Sequence, residues 1–239
     1  MPPPDLAAIH DRYLSLSRLA HEHFADSMGG KLLLRSGFDA EGIATVVASS
    51  IAGAASLCVD GDAEHLRDGL RAGFCDFVVS HLDEALRILK NELRQARPVS
   101  VGLTAHPESC LTEIVERGLQ PDLLSVAPGH QDRIFLERGA VAIPVEDQPD
   151  SGTALMEWSA PPQAQAMPHI AQLVLAALDP SRSDTPARRR WLLQSPRYLG
   201  RAFAARQFLR MTTPEIAACL PRIRAEIPSV SITQDGHER

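Results

Sequence analysis

Three histidine-bearing stretches in this 239-residue chain carry residue types suited to proton transfer. His81 is followed two residues later by Asp83, and His130 two residues later by Asp132, while His106 stands directly before a proline. An imidazole titrates near neutrality, and beside a carboxylate it can serve as general acid and base. His106, His130 and Asp132 are therefore the catalytic candidates. A second group suggests ligand binding. Gly37 and Gly42 bracket "GFDAEG", a short loop between an apolar run and an Ala- and Val-rich run. A loop of that kind can lay a phosphate against backbone N–H groups at a helix start. Asp60 lies about twenty residues further on, where dinucleotide folds use an acid to hold ribose hydroxyls. Gly37, Gly42, Asp60 and His81 are thus the candidate cofactor-binding residues. Each has a plainer reading: a loop histidine on the surface, a turn acid in "DGD", or Asp39 or Glu41 capping the next helix. No metal site is expected. His21 and His23 are two apart on a helix and do not share a face, and the four cysteines form no CxxC pair.

The elements that would position these residues alternate regularly. Residues 5–27 have Leu6, Ile9, Tyr13, Leu16, Ala20 and Phe24 at helical spacing. Strands are expected at 31–35, 56–59, 76–79, 98–103 and 122–126, and helices at 43–52, 63–72, 82–95 and 108–117. The strands ("KLLLR", "SLCV", "DFVV", "VSVGL", "DLLSV") are short and continuously apolar, as in parallel sheets covered on both faces. The fold class is α/β: a doubly wound, mainly parallel Rossmann-like sheet with an N-terminal helix and a helical C-terminal extension. In this topology His81, His106 and His130 all follow carboxyl ends of strands, where ligands bind. Beyond residue 128, "DRIFLERGAVAIPVE" and "TALMEWSA" read as strands, a hairpin closing one sheet edge. Residues 161–168 read as a linker or turn. Helices are expected at 170–177, 186–193, 196–210 and 214–227, two of them opening with proline, and Pro221 kinks the last. The domain limits are 1–160 for the sheet domain and 161–239 for the extension packed on it.

Composition narrows the partners. The formal charge of −6 is uneven, because residues 182–210 hold eight Arg against one Asp, +7 against −13 elsewhere. A chain so acidic elsewhere is a poor general binder of nucleic acid, since it repels phosphate over most of its surface. In "ARRRWLLQSPRYLGRAFAARQFLR", Arg is interleaved with Trp191, Tyr198, Phe203 and Phe208, a mixture able to stack on and neutralise a nucleic acid. The alternative is a helix pair packing its apolar residues inward, its arginines facing acidic surface or a second subunit. Cys58, Cys75, Cys110 and Cys219 lie in apolar or helical stretches and read as buried thiols of a reducing cytoplasm. No signal-peptide pattern opens the chain, and no run of about 18 apolar residues points to a membrane span.

From about Gly30 to Pro128 the sequence resembles the NAD-binding domain of urocanase (urocanate hydratase). "GGKLLLRSG" is similar to that family's entry into its Gly-rich loop, and "SLCVDGD" to its second strand with its acidic end. "SHLDEALRILKNELRQARPVSVGL" and "EIVERGLQPDLLSV" are similar to its next helices and strands in order and spacing. Gly37 and Gly42 keep family glycine positions, whereas Asp39, Ala40 and Ile43 fall where the family has glycine. "SVAPGHQD" keeps only the His and Asp of the family's corresponding motif. The resemblance implies NAD as electrophile in adding water to urocanate, in a site completed by other domains whose cysteine-bearing segment has no counterpart in this chain. Asp39 and Glu41 bring negative charge to the phosphate position, a cost on the order of 1–4 kcal/mol for close like charges.

The leading expectation is a stand-alone urocanase-like Rossmann protein without hydratase activity of its own. It would bind a nucleotide or small anion weakly, or serve a structural or regulatory role, as a homo-oligomer. One alternative is an NAD-dependent urocanase-like lyase or other nucleotide-dependent enzyme. The other is an interaction module acting through the Arg-rich helices.

Overall fold

A computed structural model of the chain describes residues 5–125, 130–144, 152–160, 166–199, 206–234 and 237–238. They fall into two compact units, Met1–Asp147 and Gln148–Arg239.

The first unit opens with α1 (Leu6–His23), whose N-terminus is capped by Asp5. Then follow β1 (Leu32–Ser36), α2 (Ala40–Ala52), β2 (Ala55–Asp60), α3 (Ala63–Ala72), β3 (Phe77–Val79) and α4 (Leu82–Arg94). β4 (Ser100–Thr104), α5 (Pro107–Glu116), β5 (Leu123–Ser125), α6 (His130–Glu137) and β6 (Val141–Ala142) complete it. All pairings are parallel, in the order β3-β4-β2-β1-β5-β6. The expected Rossmann-like sheet is present, and its first five strands lie within two residues of their expected limits.

The apolar runs are buried on both faces, as a parallel sheet between helix layers requires. On one face Leu34, Leu57 and Leu103 pack with Leu89 of α4, Ile114 of α5 and Phe135 of α6. On the other, Leu66 of α3 lies against Gly102 of β4, so closely that a Cβ there would come within 2.8 Å of it. α2 is buried from Gly42 to Ala52, and α1 packs on it. Because β2 and β5 flank β1 on opposite sides, the crevice over the carboxyl ends of β1 and β5 is the topological switch point.

Several boundaries differ from the sequence reading. The stretch after residue 128 holds a helix and a sixth parallel strand in place of one long strand. α6 turns Phe135 into the core, and β6 continues the sheet beside β5. A short apolar run does not distinguish helix from strand by periodicity alone. "TALMEWS" is β7 (Thr153–Ser159), and it closes no edge of the parallel sheet.

β7 belongs to the second unit, with α7 (Ala166–Ala177), α8 (Thr185–Tyr198), β8 (Arg206–Thr212), α9 (Thr213–Glu226), β9 (Ser231–Gln234) and β10 (His237–Glu238). The C-terminal extension is therefore helical but also carries an antiparallel sheet, ordered β10-β9-β7-β8. The expected helix over 196–210 is replaced by the end of α8, which runs through Pro196, and by β8. β8 is buried on both faces at its centre: Gln207, Leu209 and Met211 lie opposite Trp158, Met156 and Ala154 of β7, and Phe208 between them is fully buried as well. Thr212 and Glu215 close α9 with a reciprocal capping box. β7 pairs only with strands later in the chain, and the second unit begins at Gln148.

Candidate functional site

The β1–α2 turn is held by its own side chains. Gly37 adopts φ +83° and donates its N–H to Val59 O at 2.8 Å. That left-handed conformation explains the glycine, since a Cβ there would meet nothing within 4 Å. Gly42 is required for a different reason: its Cβ would fall 2.3 Å from the Gly37 carbonyl. Between them Phe38 is fully buried, its ring against Gly69 of α3. Both glycines thus serve the turn's own geometry.

Asp39 is the N-cap of α2, as its plainer reading anticipated, and its Oδ1 accepts the Gly42 N–H at 2.8 Å. A carboxylate there answers the partial positive charge of the helix start as a phosphate would. Asp60 is equally engaged: its Oδ2 accepts the Phe38 N–H at 2.6 Å and its Oδ1 the Asp62 N–H at 2.7 Å.

Two residues unremarked in the sequence reading organise this edge. Arg35, at the end of β1, donates to Asp39 Oδ1 at 3.2 Å, Glu41 Oε1 at 3.3 Å and the Gly37 carbonyl at 3.3 Å. It also donates to Ser125 Oγ at 2.9 Å, bridging β1 and β5 across the switch point. Arg12 of α1, 3% exposed, reaches Glu41 Oε1 at 3.4 Å and donates to the Pro144 carbonyl. The acids expected to repel a phosphate are each met by a guanidinium, which corrects the simple like-charge argument. The signal was present in the sequence as a charge closing the apolar run "KLLLR" and an arginine on the apolar face of the first helix.

The histidines are dispersed. His81 and His106 are the N-caps of α4 and α5, and neither side chain bonds its helix's first turn. His81 lines a cleft of about 240 Å³ with Asp83, Ser109, Cys110, Glu113 and Arg117, where Arg117 ties α5 to α4 by binding Asp83 and Glu113. His106 is exposed and does not line that cleft. Positions 130 and 132 lie two apart on α6, which places them roughly 200° apart around the helix. The His130 side chain lies outside the described residues.

All four cysteines are buried and unbonded to one another. Burial pushes the Cys58 thiol well above its ordinary value, and raises Cys75, Cys110 and Cys219 to about 11. Such thiols carry negligible thiolate near neutrality and are poor nucleophiles. Among the described residues no cluster of His, Cys, Asp or Glu could hold a metal ion, and no helix is long and apolar enough to cross a membrane.

In the second unit the Arg-rich segment turns Trp191 and Phe208 inward, while Tyr198 is half-buried. Trp191 and Phe208 are fully buried, and Trp191 Nε1 donates to the Phe208 carbonyl at 2.8 Å. Phe203 lies outside the described residues. Arg188 is also buried, bound to Glu215 at 2.8 Å and Asp184 at 3.1 Å.

The strand order, the glycine turn after β1 and the acid ending β2 are the parts of a dinucleotide-binding fold, and comparison with protein families places them. The family described as the urocanase Rossmann-like domain matches residues 8–132, from within α1 to the start of α6. The chain belongs to the urocanase family through this Rossmann-like domain.

Proposed function

We propose that this protein is a urocanase-type Rossmann unit that does not hold NAD in the family's manner and does not hydrate urocanate by itself, working instead as a binding or regulatory protein. The observation that carries this reading is the Asp39 carboxylate on the Gly42 N–H. A pyrophosphate laid on this turn needs that N–H group and open backbone. It would meet an internal anion there, and Asp60 is already committed to two backbone N–H groups. The residues of the turn do not fit the dinucleotide. The cleft beside His81 carries Asp83 and Glu113 against one guanidinium, Arg117, that is already bound to both, so it does not favour an anion.

The test is a melting curve with NAD, AMP and urocanate, together with urocanate absorbance as an assay of hydration. A ligand at about 100 times its Kd adds roughly 2.7 kcal/mol, easily seen as a shift. NAD should give no shift and urocanate no turnover. A saturable rise with NAD that Asp60→Ala removes would overturn the reading.

A further inference from the structure

Helix α8 contains four arginines and no acid. Arg188 is turned inward onto Glu215 and Asp184, beside the buried Trp191, Leu192 and Ser195. The other three, Arg189, Arg190 and Arg197, are exposed together with Pro186, Leu193 and Pro196. At about 100° per residue these exposed positions fall within one arc of about 120°. At its centre Leu193 is 63% exposed, the most exposed large apolar side chain among the described residues. Arg197 lies over the Tyr198 ring, 5.3 Å from its centroid, which limits its freedom before any partner arrives. An isolated exposed leucine is ordinary. A leucine flanked by arginines on a helix whose other face is anchored is an apolar anchor with a cationic rim.

The charge and spacing of the face indicate the partner. A guanidinium presents forked donors that match a carboxylate. Arg189 and Arg197 each stand four positions from Leu193, one before it and one after, which spreads them over about 12 Å of helix. A facing helix with an apolar residue, and acids four positions before and after it, reproduces that pattern in opposite charge. A nucleic acid would use the arginines and leave the leucine in water. An anionic membrane needs a broader apolar face to seat a helix. Both also extend past the face over a chain whose net charge is −6, whereas a short acidic helix stays on it. We propose that the outer face of α8 docks an acidic amphipathic helix of another protein. The proposal rests on the binding role given above and supplies its partner. The β1–α2 turn takes no part in it, so a failure here is distinct from a response to NAD.

Fluorescence anisotropy with the full chain tests it. The probe is a fluorescein-labelled helical peptide of about 15 residues, a leucine stripe flanked by glutamates. The same peptide with lysine for glutamate, duplex DNA and phosphatidylserine vesicles are the comparison ligands. Wild type should bind the glutamate peptide and not the lysine one, its Kd rising at least about tenfold from about 0.05 to about 0.5 M NaCl as screening shortens the Debye length. Leu193→Glu and the double variant Arg189→Glu, Arg197→Glu should each weaken binding at least about tenfold, and the double variant should take the lysine peptide instead. Their melting curves should be unchanged, because the substituted side chains are exposed. A wild type that ignores the glutamate peptide overturns the proposal, as does binding that either variant retains. DNA or vesicle binding that the variants lose transfers the face to a polyanion, and a wild-type dimer that they dissociate transfers it to a second copy. Either result overturns it as well.

Discussion

Arg35 in the first unit and Arg188 in the second each grip two carboxylates, Asp39 and Glu41 in one case and Glu215 and Asp184 in the other. Around Arg188 the guanidinium is 1% exposed and its partners 3% and 22%. Around Arg35 the guanidinium is 11% exposed and its partners 67% and 49%. The first arrangement is interior: Glu215 also accepts the N–H groups of Asp179 and Thr212, so one carboxylate joins α8, α9 and the turn before α8. The second is a clasp at the ligand edge of a Rossmann sheet. Its acids are mostly in water, where ion pairs are worth little individually. The same pairing chemistry therefore builds the interior in one unit and ties down the β1–α2 turn in the other.

The largest expected effect separates the two directly. Arg188→Ala leaves Glu215 buried without its cation and should cost about 3–5 kcal/mol by chemical denaturation. Arg35→Ala should cost on the order of 1 kcal/mol, because its partners relax into solvent. Equal losses would break the distinction. Acid sharpens it. Burial pushes the Glu215 carboxyl up, but the hydrogen bond from Arg188 and those from the Asp179 and Thr212 N–H groups outweigh burial and hold it below its ordinary 4.5. Asp184 is likewise lowered, its burial outweighed by Arg182 and Arg188. A depressed acid stabilises the fold above its unfolded value, and that contribution is lost as pH falls through the folded one. The second unit should therefore lose stability below about pH 4.5. Both tryptophans lie in that unit, so intrinsic fluorescence follows it. Arg188→Ala should move the transition to higher pH.

Gly42→Ala is the next effect in size. The obstacle is a backbone carbonyl 2.3 Å away, which cannot rotate aside. A loss of about 1–3 kcal/mol is expected in cofactor-free protein. If Gly42→Ala left stability intact, the turn would be more open than the Asp39 cap requires.

How far the sequence could be read follows from the same physics. The parallel sheet was legible because strands buried on both faces are continuous apolar runs separated by helices of regular length, from "KLLLR" to "DLLSV". The antiparallel sheet was not. Its β8 is "RQFLRMT", which has no clean apolar–polar alternation and lies within a longer Arg-rich, proline-opened segment that also fits a helix. At the site, Asp39 as a cap was legible from residue type and position before a helix. The neutralising arginines were not, because Arg12 lies 29 positions from Glu41 in sequence and only the packing of α1 on α2 brings them together.

The smallest effect concerns the cap itself. Asp39→Ala removes one side-chain acceptor from the start of α2 and should cost about 1 kcal/mol. Its more informative consequence is electrostatic. With Asp39 gone, the Gly42 N–H is released beside Arg35, which then has Glu41 as its one acidic partner among those two. A helix start beside a guanidinium is an anion site. Inorganic phosphate should therefore raise the melting temperature of Asp39→Ala and leave wild type unmoved. A Cβ at 39 leaves the Phe38 and Gly42 geometry in place, so a gain in the variant alone identifies the carboxylate as the group filling the phosphate position. If wild type responds to phosphate as strongly as the variant, the anion binds elsewhere. In that case the turn is closed by its backbone conformation and not by Asp39.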